Sequence, residues 1–155
     1  MATTVKRQST GGGSVGAYGL RALGLMLGGF FIVNGLDKLA WFADSSILAQ
    51  RLEGWLQDAV PSTRWYLETV AAPGVPLFAR LVPLAELSTG VALILGFWTQ
   101  LVAALAFLMV ANFHFARGFF YEWEFLMDGA GLPVLGGLLV LALGGLRLPF
   151  SVSKE

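Results

Sequence analysis

The stretch Arg80-Leu-Val-Pro-Leu-Ala-Glu86-Leu-Ser-Thr-Gly90-Val-Ala-Leu-Ile-Leu-Gly96-Phe-Trp98-Thr-Gln100 decides how this chain is read. Apart from Glu86, residues 81–98 are apolar, small or hydroxyl-bearing. That length suits a transmembrane helix, which needs about 20 residues to cross the hydrocarbon. An ionised carboxylate inside such a span costs about 2.5–3.5 kcal/mol to insert. Glu86 therefore needs partners within the protein. Pro83, Glu86, Gly90 and Phe97 recur at helical spacings and so share one face. Small residues on that face suit close contact with another helix.

Composition agrees with a membrane reading. At 155 residues and 56% hydrophobic content the chain is too apolar for an ordinary soluble domain of its size. The formal net charge is zero, so no basic surface for nucleic acid is expected. Cysteine is absent, which excludes disulfides, thiolate metal sites and c-type haem attachment in this chain. With His114 as the only histidine, bis-histidine haem is excluded as well, and no metal site is expected. A redox role would need a centre supplied by another subunit.

Outward from the central stretch, the pattern predicts an all-α integral membrane four-helix bundle. Residues 1–16 read as a flexible Gly/Ser/Thr-rich tail and 149–155 as a short C-terminal tail. Between them, spans are expected at about 18–42, 76–98, 101–117 and 129–148. The first reads as an uncleaved span, because no small-x-small cleavage pattern closely follows it. Arg21, Gly24, Gly28, Phe31, Gly35 and Lys38 form one line along it, and Gly129, Pro133 and Gly137 one line of the last span, with Gly136 and Gly144 another. Between spans one and two, residues 44–72 read as two short interfacial helices. The first carries an apolar face of Leu48, Leu52, Trp55, Leu56 and Ala59, and its charges read as a solvated face. The three-residue link 98–100 makes spans two and three antiparallel neighbours. The aromatic connector 118–128 reads as an interfacial belt.

Four spans place both termini on one side, and Lys6, Arg7, Arg147 and Lys154 there favour a cytoplasmic location. Connectivity then gathers Asn34, Asp37, Lys38, Arg80, Glu86, Asn112, His114, Arg117 and Asp128 toward the opposite side. A polar pocket with Glu86 at its floor is the expected result. In the functional reading Glu86 exchanges protons, while Lys38, Arg80, Asn112 and His114 hold a ligand. Arg21, Asn34 and Asp37 are structural polar groups. In the competing reading the charges only fix helix register. His114 alone would be available to a haem or pigment docking from a larger complex. It fits an interhelical hydrogen-bonder better.

Arg21, Gly35-x-x-Lys38, Glu86-Leu-x-x-Gly90 and Leu95-Gly96-x-x-Thr99, in this order, resemble the DoxX/DoxD-type membrane proteins over about residues 18–148. The resemblance implies a four-helix membrane bundle. Named members of that family are subunits of a terminal quinol oxidase and of thiosulfate:quinone oxidoreductase. A quinone ligand, partner membrane subunits and the inner (cytoplasmic) membrane of a prokaryote are the corresponding expectations. No cofactor is expected to be held by this chain alone. The last span departs from the family ending, since Gly145-Leu-Arg147-Leu-Pro149-Phe-Ser151 lacks its aspartate. The alternative is a non-catalytic accessory subunit of a respiratory or photosynthetic complex.

Overall fold

In the computed structural model of the chain, residues 12–145 and 148–153 are described. Most of the expected N-terminal tail, including Lys6 and Arg7, lies outside them, as do Arg147 and Lys154. The order of elements is α1 (Gly12–Asp37), α2 (Ala40–Ala43), α3 (Ser46–Gln57), α4 (Pro61–Tyr66), a π-helical turn (Leu67–Ala71), α5 (Val75–Leu95), α6 (Thr99–Ala116), two 3-10 turns (Phe119–Tyr121 and Trp123–Leu126) and α7 (Leu132–Gly144). Among the described residues there is no strand.

Helices α1, α5, α6 and α7 form a ring in which α1 contacts α5 and α7, and α6 contacts α5 and α7. Its core includes Phe31, Leu93, Ala106, Leu138 and Leu141. Exposure is the reverse of a water-soluble protein: Met26, Leu84, Leu108 and Leu143 face outward, while Arg21, Lys38, Glu86 and His114 are buried. Three segments, Val15–Ala43, Val75–Leu95 and Thr99–Ala116, are long and apolar enough to cross a membrane. The chain is thus an all-α helical membrane bundle. Among the described residues the fourth apolar stretch is helical over Leu132–Gly144. At 1.5 Å per residue it spans about 20 Å, short of a full hydrocarbon crossing.

Local chemistry fixes the helix ends. Proline in the first turn opens α4, α5 and α7, where its missing N–H costs nothing. Gly96, at φ 68°, ends α5 in the left-handed conformation that glycine adopts without strain. Asp44 Oδ1 accepts from the Ser46 backbone N–H at 2.9 Å at the start of α3. Hydrogen bonds from the Ser46 hydroxyl and N–H hold that exposed carboxyl below its ordinary range.

The two connector helices do not lie apart from the bundle. Leu48, Leu52, Leu67 and Ala71 pack with Trp41, Val75, Ala79 and Ala116 in a second core. They form a lid over the ends of α5 and α6. Thr63, fully buried, donates from Oγ1 to the Phe115 carbonyl at 3.2 Å and pins the lid to α6.

Glycines bring α1 against α5. A Cβ on Gly28 would lie 2.9 Å from the Gly90 carbonyl oxygen, and one on Gly90 would lie 2.8 Å from that of Gly28. The expected small-residue lines hold only in part. Gly137 and Gly144 face α1 side chains, whereas Gly129 and Gly136 have nothing within 4 Å. Pro133 and Phe97 are exposed, so neither belongs to its expected packing face. Phe97 leaves its line because the helix has already ended at Gly96.

Topology can be checked directly. Reporter fusions at the 98–100 turn and at 58–62, between α3 and α4, should signal from opposite sides of the membrane. The same signal from both sites would overturn the arrangement.

Candidate functional site

The middle of α5 and the end of α1 meet at a buried ion pair. Pro83 lies inside α5, buried, and has no N–H to return to the preceding turn. One turn further on, Glu86 is only 4% exposed and faces α1. Lys38 Nζ donates to its Oε1 at 3.0 Å and Oε2 at 2.8 Å. A third bond runs from Nζ to the Asn34 carbonyl at 3.1 Å. The three protons of the ammonium are thereby committed. Asn34 turns its own amide back to the Phe30 carbonyl at 2.9 Å.

Beside this pair lies a half-open cavity of about 350 Å³. Asn34, Lys38, Arg51, Glu86, His114 and Arg117 line it, with aromatic walls from Phe31, Trp41, Trp55 and Phe113. Arg51 sits over the Trp41 ring at 5.2 Å, and Arg117 over Phe119 at 3.8 Å. Among the described residues no carboxylate pairs with either guanidinium. Counting Lys38, Arg51 and Arg117 against Glu86, the lining carries a surplus of positive charge.

His114 is buried at the far wall. Its Nδ1 lies 2.9 Å from the Val110 carbonyl, and because a carbonyl only accepts, Nδ1 carries the proton. Nε2 is buried without a hydrogen bond, 3.6 Å from Asp128 Oδ2. The rings of Phe119, Phe120 and Phe125 surround the imidazole at 5.5–6.1 Å.

The remaining expected site residues are elsewhere. Arg80 is exposed and hydrogen-bonds the Pro76 carbonyl of its own helix. Six residues separate it from Glu86, which turns it about 240° away on an α-helix. Asn112 is exposed and lines a different cavity, because two residues from His114 means about 200°. Asp37 is exposed and does not line the cavity. Arg21, at the opposite end of α1, donates to the carbonyls of Leu93 (2.8 Å) and Ile94, which lie at the C-terminal end of α5. It satisfies acceptors that a helix end leaves open.

Arg51 was absent from the expected site. It belongs to the amphipathic α3, whose charges read from sequence as solvated. Arg117 lies three residues after His114, a spacing that places both on one face.

A family model for DoxX matches residues 19–117, from α1 to the end of α6, and so includes every helix that builds this cavity. The chain belongs to the DoxX family. Comparisons with curated proteins and with solved structures give no match. In this DoxX protein the matched residues contain Arg21, Lys38 and Glu86, while α7 lies beyond them.

Proposed function

We propose that this DoxX protein is a subunit of a quinone-linked membrane redox complex, and that the cavity beside Lys38 and Glu86 receives a quinone head group or a small anion. The observation that carries the reading is a buried carboxylate on the wall of a 350 Å³ cavity that also holds two guanidinium groups free of carboxylate partners among the described residues. Arg51 and Arg117 can donate to the oxygens of a quinone ring or an anion. Lys38, already committed to Glu86 and Asn34, acts through Glu86 rather than as the direct anchor. A quinone would supply two-electron, two-proton chemistry when bound, with Glu86 exchanging one of the two protons and the other passing to or from solvent at the open side of the cavity. Electrons come from a partner subunit. The setting is the inner membrane of a prokaryote, with cytoplasmic termini.

The closed geometry of the Lys38–Glu86 pair favours a second reading, an accessory subunit in which the pair only locks α1 to α5. Glu86→Gln separates the two. A proton carrier predicts a variant that assembles normally in the purified complex and loses quinone-linked turnover. Normal turnover in a correctly assembled variant would eliminate that role and leave the accessory reading. Gentle extraction of the wild-type complex, followed by analysis of bound quinone and partner subunits, tests the setting.

A further inference from the structure

A second cavity, of about 440 Å³, lies on the other side of Trp55 and Phe113. It is a slot between α5 and α6, roofed by the lid. Phe78, Val82 and Ala85 on one helix face Ala106 and Met109 on the other. Its polar side chains are few, chiefly Ser88, Thr89 and Asn112. Leu81 and Leu105 line it and are 49% and 58% exposed, so the slot opens on the surface that the bundle presents to lipid. From Phe78 to Thr89 it follows α5 for about 16 Å, toward the middle of the membrane.

Trp55 and Phe113 line both cavities, so the two meet at these half-buried side chains. Each volume falls in the range of small-molecule sites, about 300–1,000 Å³. The contrast between the chambers is chemical. One has a buried ion pair and two guanidinium groups with no carboxylate partner among the described residues, while the other is almost wholly apolar. A small hydrophilic anion would use only the first. A plain hydrocarbon would use only the second. A molecule that fits both has a compact polar head joined to an apolar chain, and it enters from the bilayer.

We infer that the two cavities are one site for a membrane-dissolved amphiphile, with its head beside Arg51 and Arg117 and its apolar chain in the α5–α6 slot. This rests on the quinone reading and extends it: the ligand is a quinone bearing an apolar tail, the slot holds the start of that tail, and Trp55 and Phe113 close around the junction. The shared chemistry of head plus chain also describes a single-chain anionic lipid, so the test includes one.

The full chain is reconstituted in nanodiscs of a two-chain phosphatidylcholine and titrated with three probes. These are a decyl-tailed benzoquinone, the same ring without the tail, and dodecyl phosphate. The slot is filled by Ala85→Phe and, independently, by Ser88→Phe, which also lines the slot at an exposed position. The expected result is that the tailed quinone binds at least about tenfold more tightly than the ring alone. Either slot variant should weaken the tailed quinone about tenfold while leaving the ring unchanged. Equal affinity for ring and tailed quinone, insensitive to both variants, would overturn the slot and leave the head-group site standing. Slot-dependent binding of dodecyl phosphate with no binding of either quinone would overturn the quinone reading and keep the amphiphile site. Failure of all three probes would overturn both.

Discussion

Lys38→Leu should lower the stability of the bundle by about 3–5 kcal/mol, because it strips a buried carboxylate of its counter-charge. Glu86 is 4% exposed, and among the described residues its side-chain hydrogen bonds are the two from Lys38. Among the described residues no other cation lies within ion-pair distance of Glu86. The Lys38→Leu/Glu86→Leu double variant should recover most of the loss, since an apolar pair of similar volume removes the desolvation penalty along with the attraction. The measurement is the unfolding midpoint of detergent-solubilised protein during titration with a denaturing detergent. The single and double variants together isolate the coupling energy. A double variant as unstable as the single would mean that packing of the lysine stem, not charge, holds α1 to α5.

Gly90→Ala should destabilise by about 1–3 kcal/mol, although it adds a single methyl group. The new atom would meet the Gly28 carbonyl oxygen at 2.8 Å, and backbone cannot swing aside as a side-chain tip can. Gly28→Ala should behave alike, since its Cβ would meet the Gly90 carbonyl oxygen at 2.9 Å and the Ile94 nitrogen at 3.1 Å. Gly29→Ala and Gly136→Ala provide the contrast: neither has a neighbour within 4 Å, so changes within about 0.5 kcal/mol are expected. Equal behaviour of all four in the same unfolding experiment would show that α1 and α5 do not approach as described.

These contacts also show what the sequence could reveal. The apolar runs announced three long helices because crossing hydrocarbon imposes a minimum length and leaves little choice of residue. Spacing alone set Pro83, Glu86 and Gly90 on one side of α5. The same arithmetic, applied one step further, separates Arg80 from Glu86 and Asn112 from His114, since side-chain direction rather than membrane side decides which groups meet. Arg51 was hidden for another reason. An amphipathic helix with charges on one face looks the same whether that face meets water or closes over a cavity. The partners of Arg21 left no trace at all, because backbone carbonyls are present at every residue. The fourth helix opens only at Leu132, because Gly129-Ala130-Gly131 form a turn ahead of it although they are as apolar as the helix itself.

Arg21 and Lys38 find their partners 72 and 48 residues later in the chain. On a ribosome that interval lasts on the order of seconds, at roughly 5–20 residues per second. For that time α1 carries two cations near its ends without the acceptors that will bury them, and their long side chains can reach only toward the two membrane surfaces. The emergence of α5 supplies the Leu93 and Ile94 carbonyls at one end and Glu86 near the other. The first helix therefore reaches its final depth and rotation late, when α5, the second of the three long helices to be made, closes on it.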